Sequence, residues 1–165
     1  MFSVGILTIS DKGSRGERED LSGPEIREMI SSLPARVEAY EIVPDEEEII
    51  AEKLKDYADM KRLNLILTTG GTGLSPRDVT PEATRKILDR EIPGIAEAMR
   101  AEGMKITPTA MLSRAAAGVR GCSLIVNLPG SPRAVRENLA VILPALAHGM
   151  EKIQGDPAEC GNLRR

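Results

Sequence analysis

Three glycines within four residues, in Thr69-Gly70-Gly71-Thr72-Gly73-Leu74-Ser75-Pro76-Arg77-Asp78, form the densest chemical signal in the sequence. Glycine lets the main chain approach a ligand closely and turn its N–H groups toward an anion, which is how backbone nests hold phosphate. The loop lacks the Gly-Lys-Ser/Thr ending of a Walker loop. Its Gly71-to-Gly73 spacing also meets Pro76 where a dinucleotide fingerprint needs a third glycine. A plain glycine turn between strand and helix fits the same residues. Asp78 bears on that choice, because a carboxylate beside a phosphate cradle repels phosphate unless a divalent cation lies between them. Mg²⁺ is typically held by one or two carboxylates plus phosphate oxygens. Asp45 is the natural second carboxylate. It also stands three residues before Glu48, the spacing of a helix N-cap with an acidic partner. For Asp78, ahead of Val79-Thr80-Pro81, the structural alternative is a turn or cap.

The loop Asn127-Leu128-Pro129-Gly130-Ser131-Pro132-Arg133 repeats the logic with other residues. Ser131 caps a helix that Pro132 starts, and a helix N-terminus receives phosphate readily. Asn127, polar after Leu124-Ile125-Val126, points to a hydrogen bond to a ligand or one that fixes the loop. Near the N-terminus, Lys12, Arg15 and Arg18 are balanced by Asp11, Glu17, Glu19 and Asp20. Mixed charge of this kind reads as a solvated surface, with a lid or an anion-binding arm as the alternative.

Composition narrows the chemistry. The 165 residues carry 22 Lys+Arg and 25 Asp+Glu, for a net charge of −3, and hold one His, no Trp, two Tyr and one Phe. A zinc site lacks ligands, since Cys122 and Cys160 form no close pair. A Ser-His-Asp or Cys-His mechanism would need His148, whose apolar setting is that of a helix end where imidazole caps or packs. Three aromatic side chains build no base-stacking platform, so nucleic acid is not an expected partner. The N-terminus lacks the cationic and apolar regions of a signal peptide, and no run approaches the roughly 18 apolar residues of a membrane span. The expectation is a cytoplasmic protein with no membrane contact and no disulfide.

The elements that must position these loops follow from hydrophobic periodicity. Val4 to Ile9, Leu63 to Leu67 and Leu124 to Asn127 are nearly continuous apolar runs, the pattern of strands buried on both faces, and residues 37–43 alternate as a strand. Between them Ser22-Gly23-Pro24 opens a helix with Ile26, Met29, Ile30 and Leu33 on one face. Ile49, Ile50, Leu54 and Tyr57 mark a second helix. Thr80 caps a third whose first residue is Pro81, and a fourth follows Pro93-Gly94 to about Glu102. Residues 110–121 read as a short hairpin, and the last helical region is expected to kink or divide at Pro144. Met99, Met104 and Met111 read as core filler. Alternating strands and helices mean a three-layer α/β/α fold with a mostly parallel sheet, whose ligands bind outside the strand C-termini. Residues 1–154 read as one domain and 155–165 as a polar tail.

At these residues the chain resembles the molybdopterin adenylyltransferase family, the MogA/MoaB group of molybdenum cofactor biosynthesis. The likeness rests chiefly on Thr68-Thr69-Gly70-Gly71-Thr72-Gly73 through Arg77-Asp78-Val79-Thr80-Pro81-Glu82-Ala83-Thr84. It extends to Ser10-Asp11 with Gly16 and Asp20, Pro44-Asp45, Leu112-Ser113-Arg114 and Asn127-Leu128-Pro129-Gly130, so it covers nearly the whole chain. The resemblance implies a MogA/MoaB-like domain, usually a homotrimer, that transfers AMP from ATP to the terminal phosphate of molybdopterin in a Mg²⁺-dependent step releasing pyrophosphate. It implies Asp45 and Asp78 as the catalytic, metal-holding pair. ATP contacts fall on Thr69, Gly70, Gly71, Thr72, Gly73, Ser75, Asn127, Pro129, Gly130 and Ser131, and substrate contacts on Asp11, Arg15, Gly16, Ser113 and Arg114. Contact with a molybdenum-insertion enzyme is implied as well. Gly103 is a departure, since some members carry Ser there. A phosphate oxyanion is already a nucleophile, so the chemistry suits a chain with one histidine. The alternative is a non-catalytic pterin- or nucleotide-binding paralogue.

Overall fold

The computed structural model describes residues 1–155; Cys160 and all of the 155–165 tail beyond Gly155 lie outside the described residues. Strand β1 (Phe2–Ile9) leads through a one-turn helix α1 (Asp11–Ser14) to α2 (Ser22–Ile30), β2 (Ala35–Val43) and α3 (Glu47–Lys55), which a π turn at Asp56–Met60 extends. Then come β3 (Leu65–Thr69), α4 (Thr80–Ile87), the two-residue β4 (Arg90–Glu91) and α5 (Pro93–Met104). A 3₁₀ turn at Pro108–Leu112, β5 (Ala117–Arg120), β6 (Ser123–Leu128) and α6 (Pro132–Ile153) complete the order.

The sheet runs β2-β1-β3-β6-β5-β4, with the first four strands parallel, β5 antiparallel to β6, and β4 antiparallel to β5. The apolar runs divide by strand alternation. Val4, Ile6, Leu65, Leu67, Leu124 and Val126 pack on one face with α2, α5 and α6, while Leu7, Ile9, Ile66 and Ile125 pack on the other with α3 and α4. The three-layer fold is as the sequence predicts. Because the chain leaves β1 for β2 on one side and β3 lies on the other, β1 and β3 flank the topological switch point where α/β sheets open a crevice.

Several local expectations need correction. Helix α6 runs undivided past Pro144, which lies on the exposed face with Ala140, whose carbonyl loses its partner to the proline ring. Water can take that carbonyl, while Val135, Leu139, Ile142, Leu146 and Met150 keep a buried stripe. Each such side chain contributes about 1.5–3 kcal/mol, enough together to outweigh an interior proline. The hairpin is β5–β6, and β4 is too short to show in hydrophobic periodicity. Ile49, Met104 and Met111 are exposed where core positions were expected; of the three methionines only Met99 is buried. Thr80 is no cap: its hydroxyl donates to the Gly70 carbonyl at 2.9 Å, a tertiary bond that outcompetes the local one.

Candidate active site

A cleft of about 660 Å³ opens at the C-terminal ends of β1 and β3. Its walls come from Thr8 to Ser10, Asp20 and Ser22 at the start of α2, Asp45 after β2, Thr69 to Gly71, Asp78, and Gly130 to Pro132 at the head of α6. The glycine loop crosses its floor. Gly70 and Gly71 have φ of +98° and +67°, the left-handed region. A Cβ at Gly70 would collide with the Ile9 carbonyl, and one at Gly71 with the Thr80 hydroxyl. The Gly70 carbonyl accepts from the Thr80 hydroxyl, and the Gly71 carbonyl from the Thr80 N–H at 3.1 Å. Thr69 donates its hydroxyl to the Pro129 carbonyl at 2.6 Å, and Gly70 its N–H to the Leu128 carbonyl at 3.2 Å. The Gly70 amide is therefore occupied, contrary to a cradle made of all the loop amides, whereas the Gly71 amide has no protein acceptor among the described residues.

Asp45 and Asp78 both line this cleft. Asp45 does not cap α3, whose cap position is Glu46. Instead Asp45 and Asp11 latch two loops reciprocally: the Asp11 N–H donates to Asp45 Oδ2 at 2.8 Å and the Asp45 N–H to Asp11 Oδ1 at 3.0 Å. Arg77 grips Asp11 with Nε and Nη2 at 3.0 and 2.8 Å and holds its carboxyl below the usual range. Asp45 shifts the other way. Burial pushes its carboxyl up, and the negative charges of Asp11 and Asp78 add to the push beyond what the Asp11 N–H returns. Asp78 is oriented by the Ser75 N–H, which donates to its Oδ2 at 2.8 Å.

Opposite stands Asp20, a half-buried carboxylate that accepts from the Thr8 hydroxyl at 2.5 Å, the Tyr40 hydroxyl, and the Ser22 and Gly23 N–H groups at 2.9 and 3.1 Å. Burial raises its pKa, but these four donors outweigh burial and leave it below the usual value. Tyr40, half-buried against that charge, is pushed up to about 12 and stays a donor. Asp20, Thr8 and Ser22 are site residues that the sequence reading did not select. The available signal was an Asp just before the Ser22-Gly23-Pro24 helix start, the position of a residue that caps through side-chain bonding.

Other expected site residues fall elsewhere. Asn127 is fully buried; its amide nitrogen donates to Thr68 and Thr84 hydroxyls at 3.0 and 2.9 Å and its oxygen accepts from the Ala116 N–H at 3.1 Å. It fixes strands and α4 and presents nothing to a ligand. Arg15 pairs with Glu17 on the surface, and neither it nor Gly16 reaches the cleft wall, where Arg18 stands instead. Ser75 is exposed and serves Asp78. Ser131 caps α6 through the Ala134 N–H at 3.2 Å and also lines the cleft. Thr72, Gly73, Pro129 and Ser113 line a second cleft of about 460 Å³ beyond the glycine loop, with Met99 and Gly103. A Cβ at Gly103 would stand 2.8 Å from Ala110 Cβ, so a serine there requires the 3₁₀ turn to move. Arg114 turns its guanidinium to Gly73, Asp78 and Glu82 rather than to either cleft. His148 lies in the last turns of α6, away from both.

Among the described residues no three or more His, Cys, Asp or Glu side chains cluster to hold a metal by themselves. Two carboxylates on one wall, one of them raised by burial and by its negative neighbours, fit a hard divalent cation that completes its shell with phosphate and water. No helix of the described residues is long and apolar enough to cross a membrane.

Residues 5–148 match a family described as "Probable molybdopterin binding domain". The chain is 44% identical to the molybdopterin adenylyltransferase of Helicobacter pylori strain J99 over 155 residues, 93% of this chain and 88% of that protein. It is similar to the solved molybdopterin biosynthesis enzyme MoaB of Thermus thermophilus, with 57% identity, a TM-score of 0.90, and 96% and 100% of the two chains covered. It is also similar to the tungsten cofactor synthesizing protein MoaB of Pyrococcus furiosus, at 36% identity, TM-score 0.83, and 93% and 97% coverage.

Proposed function

The chain belongs to this molybdopterin-binding family, and from that premise we propose that it is a molybdopterin adenylyltransferase, transferring AMP from ATP to the terminal phosphate of molybdopterin. The observation that carries the reading is the pairing of Asp45 and Asp78 in a cleft floored by the Gly70-Gly71 turn, in a chain 44% identical to a relative with that name.

In the step, an oxygen of the pterin's terminal phosphate bonds to the α-phosphorus of ATP, the bond from that phosphorus to the bridging oxygen breaks, and pyrophosphate leaves. The attacking oxyanion needs no base, so the protein's task is positioning and charge neutralisation. Gly71 offers its amide, and the head of α6 at Ser131 and Pro132 turns a helix N-terminus toward the phosphates. Arg18 supplies a cation on the cleft wall. Asp45 and Asp78 are the residues that would hold Mg²⁺, which when bound would supply positive charge against the phosphates and the leaving pyrophosphate. The second cleft, lined by Met99, Leu112, Thr107 and Ser113, suits the pterin, whose flat ring needs apolar walls with a few polar groups.

The same reading takes residues 1–154 as one catalytic domain of a cytoplasmic homotrimer that passes its product to a molybdenum-insertion enzyme. Incubation of the pure protein with molybdopterin, Mg²⁺ and α-labelled ATP tests the core of it. Label should move to the pterin as pyrophosphate appears; no transfer, while a known adenylyltransferase succeeds in parallel, would leave only a binding paralogue.

A further inference from the structure

We propose that Arg114 is a positioning residue for adenylyl transfer: it ties the loop of residues 72–78 into the shape that presents Asp78 to the cleft, without touching substrate. The catalytic half of that statement rests on the functional reading above.

Residues 74–77 are exposed, so no core packs this loop from within. Its own local bonds are the Asp78 N–H donating to the Ser75 carbonyl at 2.9 Å, the Ser75 N–H donating to Asp78 Oδ2 at 2.8 Å, and a long one from the Arg77 N–H to Ser75 Oγ at 3.4 Å. Arg114 supplies what the core does not. Its backbone N–H donates to the Thr72 carbonyl at 2.9 Å, its Nε to the Gly73 carbonyl at 2.8 Å, and its Nη2 to the Asp78 carbonyl at 2.6 Å. The guanidinium thus draws the two ends of the segment 73–78 into one plane. Glu82, in the first turn of α4, takes Nη1 and fixes the guanidinium against the helix that follows the loop. Only a planar fork with donors on two edges makes these contacts at once; a lysine ammonium cannot. With the backbone and one carboxylate oxygen of Asp78 both held, Oδ1 is the atom left to meet a ligand.

Arg114→Lys keeps the charge and removes the fork, and Glu82→Gln loosens the anchor if the first variant folds poorly. In Arg114→Lys, amide hydrogen exchange across residues 72–78 should quicken about tenfold or more while β1, β3 and β6 keep their protection. The kcat should fall on the order of 10²-fold, as small misplacements near reacting atoms do, with KM for molybdopterin within about twofold. In an Asp78→Asn background the same substitution should cost less than about threefold, because the two act on one path. Glu82→Gln should reproduce the pattern more weakly. Unchanged exchange in the loop would overturn the proposal, and so would a tenfold rise in KM at constant kcat, the mark of direct substrate contact. A wild-type protein that transfers no AMP would instead refute the adenylyltransferase reading, with the exchange measurement still deciding whether Arg114 shapes the loop.

Discussion

The two walls of the cleft hold their carboxylates in opposite ways. On the α2 wall, Asp20 accepts four hydrogen bonds and sits below its ordinary pKa despite burial. On the β2–β3 wall, Asp45 keeps one backbone N–H, faces Asp11 and Asp78, and is raised. A carboxylate with all its needs met is a joint in the scaffold. One left with surplus negative charge is stable only at a cost, and a cation bound beside it relieves that cost. Placement in the cleft alone does not separate structure from chemistry; the balance of donors and charges does.

The largest effect that can break this contrast is on rate. Asp45→Asn retains an acceptor for the Asp11 N–H but removes the charge, so turnover should drop on the order of 10²–10³-fold, measured as AMP transfer at saturating ATP. Near-normal turnover would move Asp45 into the same class as Asp20. Next comes Asp20→Ala, which strands the Thr8 and Tyr40 hydroxyls and two amides and should cost about 2–4 kcal/mol in denaturant unfolding. A loss of rate without loss of stability there would mean that Asp20 is chemical after all.

Gly71→Ala should follow, at about 1–2 kcal/mol for the left-handed backbone alone, with weaker ATP binding as the Thr80 contact is pushed apart. Thermal unfolding and nucleotide titration of this variant separate the two effects. The smallest effect is expected at Arg15→Ala: its partner is the exposed Glu17, so the rate should stay within about twofold of wild type.

pH sharpens the same comparison. The folded pKa of Asp20 is lowered, so its stabilisation is complete above the ordinary carboxylate range near 4 and is lost as pH falls through the folded value. That of Asp45 is raised, so its contribution is complete at low pH and is lost as pH rises through the raised value. At neutral pH Asp45→Asn should therefore unfold at the same temperature as wild type or higher.

How far the sequence reached differs between these walls. Asp45 read equally as a helix cap until its latch to Asp11 placed it otherwise, whereas the Gly70-Gly71 turn and the nearby Asp78 were legible as cleft residues because glycine density beside a strong strand pattern is a local signal. The parallel strands were legible for the same reason: buried on both faces, they read as unbroken apolar runs. Asn127 was legible as an anomaly, a polar residue ending such a run, but its partners Thr68, Thr84 and Ala116 come from other elements that no spacing reveals. Asp20 was hidden in a charged loop, since the Thr8 and Tyr40 hydroxyls that define it come from neighbouring strands. Arg114 carried an expectation of substrate contact from the resemblance alone, and its observed acceptors, the Gly73 and Asp78 carbonyls and the Glu82 carboxylate, lie more than thirty residues away where no spacing reveals them.

The central claim is that an unsatisfied acidic wall runs the reaction, and one paired measurement tests it most directly. Wild type and Asp45→Asn, shown equally folded at pH 7 by thermal unfolding, are titrated with Mg²⁺ while label transfer from α-labelled ATP to molybdopterin is followed. The account predicts saturating Mg²⁺ dependence in wild type and, in the variant, a melting temperature no lower with transfer reduced on the order of 10²-fold or more. Equal transfer by the two proteins, or a variant that loses activity only because it unfolds, would contradict it.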